Sequence, residues 1–152
     1  MDERALTFEG VQLSRQKEIV RAFYKDMWDH ADTSLIPTIF HSDFTFRGSL
    51  GPVLTGHDQF AGYVDLVTTA FDNYTSDILA MVEEGNRVMA KLRFHGLHQG
   101  ELFGVSPTGR QVWWYGMPVF TFEGAKVRDL WVLGDIHNLL ARLKGEREEM
   151  PV

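Results

Sequence analysis

The hydrophobic period of this chain changes once, near residue 73, and this change limits the possible folds more than any other feature. Before it, apolar residues recur at helical spacing in two segments, 14–28 and 55–71. After it, apolar and polar residues alternate with a period of two, as they do in strands joined by short turns. Helices followed by a long antiparallel meander predict an α+β fold, in which a curved sheet carries the helices on its concave face.

Capping and turn residues set the predicted boundaries of these elements. Ser14 is the predicted N-cap of the first helix, and Asp135 is the predicted N-cap of the last one. Gly96 and Gly100 are predicted sites at which a long strand bends. The predicted helices are 14–28, 34–40, 55–71 and 136–143, and the predicted strands are 43–47, 74–84, 87–103, 111–122 and 126–133.

The composition restricts the classes of function. With 152 residues, the chain is predicted to form a single domain, 1–152, with loose ends at 1–12 and 145–152. It contains no cysteine, which excludes disulfides, thiolate nucleophiles and iron–sulfur clusters. The net charge is −6 and no segment is strongly basic, so nucleic acid is not a predicted partner. No apolar run reaches the ~20 residues of a membrane span. The charged N-terminus does not resemble a signal peptide, so we predict a cytoplasmic protein.

An acidic residue lies in the apolar pattern of the last predicted strand. Asp129 alternates with Val127, Trp131 and Leu133, so this face is predicted to point inward. Burial disfavours the charged form of a carboxyl group and so raises its pKa. A carboxyl group needs a raised pKa to exchange protons near neutral pH. We therefore expect Asp129 to be a catalytic acid–base residue. One alternative is that the carboxylate makes hydrogen bonds with a purely structural role. Another is that this end of the strand is exposed to solvent.

A histidine is the second titratable residue predicted to face inward. His98 shares a strand face with Leu92 and Phe94, and histidine commonly transfers protons in enzymes. The alternative is a histidine that is hydrogen-bonded within the core. His95 and His98 are three positions apart on a strand and therefore point to opposite faces, so they cannot share a metal ion. No metal site is predicted.

The strand 111–122 is apolar on both faces. Trp113 and Trp131 are predicted flat walls of a ligand pocket, and Tyr115 can donate a hydrogen bond to a bound carbonyl group. The other face is predicted to meet a second copy of the chain, giving a homodimer or larger homo-oligomer, or to be covered by a helix. The residues predicted to bind a small hydrophobic substrate are Phe23, Trp28, His41, Arg47, Phe94, Trp113 and Trp131.

Three segments in the second half of the chain carry a resemblance to a known family. They are HGLHQGELFG (95–104), SPTGR (106–110) and FTFEGAKVRDLWVLGD (120–135), while 23–28, 34–48 and 55–60 agree more loosely. The chain resembles the SnoaL-like polyketide cyclases, also called ester cyclases, of the nuclear-transport-factor-2-like superfamily. The resemblance implies a cone-shaped barrel with a deep pocket and a dimer or larger assembly. It also implies ring closure by intramolecular aldol addition without a cofactor.

The resemblance implies that the acid–base residue of the final strand is Asp129, in agreement with the face pattern. In the leading hypothesis, Asp129 removes a proton from a carbon next to carbonyl groups, and Tyr115 or His98 holds the enolate oxygen. One alternative is an epoxide hydrolase, dehydratase or isomerase of the same fold. Another is a non-enzymatic domain that binds a small molecule.

Overall fold

Six strands form one sheet, and the helices that precede the long strands pack against its inner face. The computed structural model describes residues 3–147. The strands are β1 (Phe40–Arg47), β2 (Val53–Thr55), β3 (Phe71–Glu84), β4 (Arg87–His98), β5 (Gln111–Glu123) and β6 (Lys126–Gly134). The helices are α1 (Arg15–Ala22), α2 (Ile36–Ile39), α3 (Gly56–Ala70) and α4 (Ile136–Leu143). The predicted α+β class is confirmed.

The sheet is open, which corrects the predicted barrel. Its strand order is β2-β1-β6-β5-β4-β3, so that β2 and β3 are its two edges. The strands β3 to β6 form the predicted antiparallel meander. Strand β1 pairs with β6 in parallel, because the chain passes through α3 and the whole meander before it returns to β1. The sheet is therefore mixed rather than purely antiparallel.

The predicted helix caps are confirmed by the hydrogen bonds of two side chains. Ser14 accepts a hydrogen bond from the Lys17 backbone, and Asp135 accepts one from the Asn138 backbone. The first helix nevertheless changes after Ala22 into a π-helical segment, Phe23–Trp28. Four of the six side chains in this wider turn are buried, so the segment packs aromatic surface against the sheet. No helix within residues 3–147 is both long and apolar enough to cross a membrane.

The core is mainly aromatic and lies between the π-helical segment, α3 and the inner face of the sheet. Phe23 packs against Phe60 of α3 and Phe120 of β5, with ring centroids 5.9 and 5.4 Å away. Such ring pairs contribute about 0.5–1.5 kcal/mol each beyond the burial of their surface. The buried hydrophobic residues form a single cluster, in which each long strand contributes alternate side chains.

The sheet contains bulges, one of them opposite a glycine that was predicted as a bend site. Strand β6 has one extra residue, Arg128, opposite the step from Thr121 to Phe122 of β5. Strand β3 has shifts of register as well, one of them between Asp72 and Thr75. Gly96 lies opposite this shift, because its neighbours Leu97 and His95 pair with Asp72 and Thr75. It also allows two strands to approach closely, since a Cβ atom there would lie 2.8 Å from the Phe71 Cβ atom.

The N-terminal segment contacts the sheet and the core where the structure describes it. The Leu6 backbone N–H donates to the Ile78 carbonyl oxygen over 2.8 Å, so the segment adds to the edge of β3. Phe8 packs against the core. At the other end, the Glu146 backbone N–H donates to the Ala141 carbonyl oxygen of α4. The rest of the predicted loose tail, 148–152, lies outside the described residues, as do residues 1–2.

Candidate active site

An aromatic cavity lies between the inner face of the sheet and the helices. Its free volume is about 20 Å³, which is room for one water molecule. The structure therefore does not show the predicted ligand-sized pocket, because aromatic rings fill the space. The lining side chains are Phe23, Tyr24, Trp28, Phe46, Ser49, Leu50, Tyr63, Val67, Tyr74, Phe94, Trp114, Leu130 and Val132.

The polar groups of this cavity are neutral hydrogen-bond donors. Burial raises the pKa of Tyr24 and of Tyr74 well above the ordinary value for a phenol. Burial also raises the pKa of Tyr63, to about 12. All three phenols therefore stay protonated at neutral pH. The indole N–H of Trp114 has no hydrogen-bond partner among the described residues, so a bound oxygen atom would find a ready donor there.

The carboxylate of Asp129 does not line this cavity, and its predicted inward orientation is wrong. The buried residues of β6 are Val127, Leu130 and Val132. The extra residue Arg128 reverses the alternation after Val127, so Asp129 lies on the outer face of the sheet. There it accepts a hydrogen bond of 2.5 Å from the Thr45 hydroxyl of β1. This geometry corresponds to the structural alternative considered for Asp129.

Trp113 and Tyr115 also lie on the outer face, which corrects their predicted place in the pocket. The buried tryptophan of β5 is Trp114, because the even-numbered residues of this strand point inward. The Arg142 guanidinium of α4 stacks on Trp113 at 3.7 Å. The Tyr115 hydroxyl donates to the carboxylate of Glu3.

Two further predicted binding residues are found together on the outer face of the sheet. Trp131 is 43% exposed, since it follows the same reversed alternation as Asp129. Arg47 lies beside it on β1, with its guanidinium carbon 5.3 Å from the Trp131 ring centroid. Neither residue lines the cavity.

His98 is buried on the inner face, as predicted, but it does not line the cavity. Its Nδ1 atom accepts a hydrogen bond from the Thr108 backbone N–H over 3.2 Å. The proton of the neutral ring is therefore on Nε2, which has no partner among the described residues. Burial lowers the pKa of His98 and favours this neutral form. These contacts anchor the loop 99–110, which matches the core alternative considered for this histidine.

The remaining predicted binding residues divide between the cavity and the surface. Phe23, Trp28 and Phe94 line the cavity. His41 lies at the start of β1, with its Nε2 atom 2.7 Å from the Glu123 carbonyl oxygen, and is not among the lining residues. Within residues 3–147, no group of three or more histidine and acidic side chains could hold a metal ion.

Sequence reasoning missed four of the five tyrosine and tryptophan residues that line the cavity: Tyr24, Tyr63, Tyr74 and Trp114. Their signal in the sequence is a tyrosine or tryptophan at a position of the apolar pattern. Such a residue brings a hydrogen-bonding group into the core, and that group needs a partner.

Asp29 is an acidic residue close to the cavity. Asp29 directly follows Trp28, the last residue of the π-helical segment. Its carboxylate is 15% exposed. One oxygen accepts from the Ser76 backbone N–H at 2.8 Å, and the other lies 2.7 Å from the Lys25 ammonium group. Burial raises the pKa of Asp29 even though Lys25 and Ser76 lower it. Asp29 lines a surface cleft that adjoins the cavity.

Comparisons with known proteins agree with this architecture. The sequence profile of the SnoaL-like polyketide cyclases matches residues 18–143. Aklanonic acid methyl ester cyclase DnrD of Streptomyces peucetius is 28% identical over 120 residues, which are 77% of this chain and 82% of DnrD. AclR of Streptomyces galilaeus superposes with a TM-score of 0.76 at 24% identity, over 92% of this chain and 91% of AclR. IdmH of Streptomyces antibioticus superposes with a TM-score of 0.75 at 19% identity, over 86% and 99% of the two chains. The chain belongs to the SnoaL-like polyketide cyclase family.

Proposed function

We propose that this protein is a cofactor-independent cyclase that binds an apolar, carbonyl-bearing substrate in the aromatic cavity and closes a ring by aldol-type addition. The observation that supports this most directly is the set of neutral donors among apolar walls. The three phenols and the Trp114 indole can hydrogen-bond to carbonyl oxygens without adding charge. Similarity to DnrD, a protein named as a cyclase, supports the reaction class.

The donors would act on the oxygen at which negative charge develops. Removing a proton next to a carbonyl group places charge on its oxygen, and hydrogen bonds in a water-poor site stabilise that enolate. Loss of one such donor typically costs about 10²–10³-fold in rate. The aromatic walls would fold the flexible substrate so that its enolate carbon meets a second carbonyl carbon, which lowers the entropic part of the barrier.

The proton acceptor has to come from outside the cavity lining, because no lining residue carries a carboxylate or an imidazole. Asp29 and Asp129 are the two candidates that we propose. The geometry favours Asp29, whose cleft shares Trp28 and Tyr74 with the cavity. Asp129 points away from the cavity and would need a binding site on the outer face.

The experiment compares two pairs of matched variants with aklanonic acid methyl ester as substrate and DnrD as positive control. Ring closure by aldol addition leaves the mass unchanged, so the product is followed by chromatography and absorbance. We expect Tyr74→Phe to lose at least about 10-fold in rate, while Tyr115→Phe on the outer face stays at the parent rate. We also expect Asp29→Asn to lose turnover and Asp129→Asn to keep it. Equal rates for the two tyrosine variants would show that the cavity is not the reaction site.

A second candidate is a domain that binds a small apolar molecule without converting it. The absence of an acid–base side chain among the cavity lining favours this candidate. It predicts saturable binding of the ester, seen as quenching of tryptophan fluorescence, with no product after long incubation. Product formation above the uncatalysed rate would exclude it.

We also propose that the outer face of the sheet is the contact surface of a homodimer. Met89, Met117, Trp131 and Leu133 are between 41% and 54% exposed there. The register places Trp131 opposite Val119, and Leu133 opposite Met117. Exposed apolar side chains that are neighbours across strands form a continuous patch, and such patches commonly mark protein–protein contacts.

A further inference from the structure

The nearly full aromatic cavity and a surface cleft share two lining residues, Trp28 and Tyr74. The cleft has a volume of about 240 Å³, against about 20 Å³ for the cavity. Its walls come from the end of the π-helical segment and from the start of β3, residues 28–31 and 71–74. Trp28 and Tyr74 therefore separate a space that can hold a ligand from a space that is nearly full.

The two aromatic residues that separate these spaces pack against each other. The rings of Trp28 and Tyr74 lie 5.2 Å apart at an interplanar angle of 50°. The two residues are only 6% and 8% exposed, so in this structure they close the cavity toward the cleft. Three other surface grooves share no residue with the cavity.

Both residues of this wall are carried by irregular backbone. Trp28 is the last residue of the π-helical segment. Tyr74 lies in the shift of register between Asp72 and Thr75, next to Asn73, whose φ of 52° is uncommon outside glycine. Regular ladders hold their residues with repeated hydrogen bonds, whereas residues at a bulge lack that support and open at lower cost.

The two sides of the wall are joined by a polar bridge. The Asp29 carboxylate accepts from the Ser76 backbone N–H over 2.8 Å, and the Lys25 ammonium group donates to the Ser76 carbonyl oxygen over 3.0 Å. Lys25 and Asp29 also form an ion pair with each other at 2.7 Å. The bridge therefore ties the π-helical segment to β3, two residues beyond Tyr74.

The cavity also touches the loop 48–52, but contacts on several sides hold this loop down. Gly48 and Gly51 close a turn by backbone hydrogen bonds of 3.1 and 3.0 Å. Ser49 packs so closely on Gly134 that a Cβ atom at position 134 would lie 2.4 Å from the Ser49 Cβ atom.

We propose that Trp28 and Tyr74 form a gate through which the substrate passes from the cleft into the aromatic cavity, and that the Lys25–Asp29–Ser76 bridge keeps this gate closed. The proposal rests on the proposed function in so far as the ligand is a substrate. The gate itself concerns binding only, so it can be tested without turnover.

Because the chain contains no cysteine, a single introduced cysteine can carry a label that blocks one chosen wall. His30→Cys places a thiol in the cleft, Leu50→Cys places one in the loop 48–52, and Ser42→Cys places one in a separate groove. Each variant of the full chain is labelled with biotin maleimide. Stopped-flow fluorescence then measures how fast the neutral naphthyl ketone dye Prodan binds.

We expect the label at His30→Cys to slow Prodan association by at least about tenfold, because binding must pass the blocked gate. The label at Ser42→Cys should leave the association rate unchanged. If the label at Leu50→Cys slows association and the label at His30→Cys does not, the loop is the entrance and the proposal is wrong. Equal rates for all labelled forms, or no Prodan binding by the parent, would overturn it as well.

Two substitutions test the gate without a label. Trp28→Phe keeps a ring in place but makes it smaller, and we expect Prodan to associate about threefold to tenfold faster. Asp29→Asn loses the ion pair with Lys25 and should also speed association. Trp131→Phe on the outer face is the matched control and should leave the rate unchanged. If the parent protein forms no ring-closed product while the labelled and substituted forms show the expected Prodan kinetics, the proposed function is wrong and the gate stands.

Discussion

An added methyl group at Gly116 should disturb the packing of the cavity wall. A Cβ atom there would lie 2.3 Å from the Cε2 atom of Phe94, which lines the cavity. Gly116→Ala therefore forces the Phe94 ring to move within a packed core, and we expect a loss of about 1–3 kcal/mol in the free energy of unfolding. Urea denaturation measures this loss.

Gly62 provides the matched control for this substitution. It lies within α3 and is exposed, and a Cβ atom there would meet no atom within 4 Å. Gly62→Ala should raise the free energy of unfolding by about 0.5–1 kcal/mol, because alanine restricts the unfolded chain more than glycine does. Equal stabilities of the two variants would show that position 116 has room that the structure does not indicate.

At this scale, sequence reasoning finds the kind of residue but not always its face. Three consecutive aromatic residues, 113–115, occupy both faces of β5, so periodicity alone could not decide which of them point inward. The deciding factor is the register that β5 shares with β4, in which Trp114 pairs with the inward-facing Phe94. On β4 only one face is consistently apolar, and there the inward orientation of His98 and Phe94 was predicted correctly.

The element that sequence reasoning misplaced is the second half of β6. The boundaries of β6 and of β5 were predicted within one residue. The bulge at Arg128 has no clear sequence signal, because it contains neither glycine nor proline. It moves Asp129 and Trp131 together to the outer face, and with them the candidate acid–base residue. Pairing with β5 and β1 fixes this geometry, and such long-range pairing cannot be read from a local pattern.

A charged cluster joins the long strands β3 and β4 and makes their pairing depend on pH. Asp77 faces Arg93 across β3 and β4. Its Oδ2 atom accepts from the Arg93 guanidinium at 3.0 Å and lies 3.1 Å from the His95 Nε2 atom. Burial alone would raise the pKa of Asp77, but the hydrogen bonds from His95 and Arg93 outweigh it and lower the pKa.

We therefore expect Asp77→Asn to lower the free energy of unfolding by about 1–3 kcal/mol at pH 7. A lowered carboxyl pKa adds stability above the ordinary value of the unfolded chain, and that stability is lost as the pH falls through the lower folded value. The difference between parent and variant should therefore persist down to about pH 4 and shrink below it. Urea denaturation across this range measures it, with Asp65→Asn on exposed α3 surface as control. A difference that stays constant down to pH 2 would contradict the ionic origin.

For the whole molecule, the order of elements was predictable and the closure of the sheet was not. The change of period at residue 73 and the caps of α1 and α4 were enough to predict helices first and a meander after them. The open edges at β2 and β3 depend on how far the strands curl, which is decided by packing against α3 and the π-helical segment. The cavity was predictable as a location, but its small free volume reflects ring packing that no local pattern specifies.

The homodimer that we propose is tested by a charge placed in the apolar patch of the outer face. Leu133 is 54% exposed in this patch, and Leu66 is 59% exposed on α3, on the opposite side of the sheet. In a dimer with twofold symmetry each substitution enters the contact twice, so two carboxylates would be buried without partners. We expect Leu133→Asp to weaken association at least about 100-fold and Leu66→Asp to leave it unchanged. Sedimentation equilibrium of the full chain distinguishes a monomer of 17.4 kDa from a dimer of twice that mass. A parent protein that sediments as a monomer, or a dimer that Leu66→Asp disrupts and Leu133→Asp does not, would exclude the outer face as the contact surface.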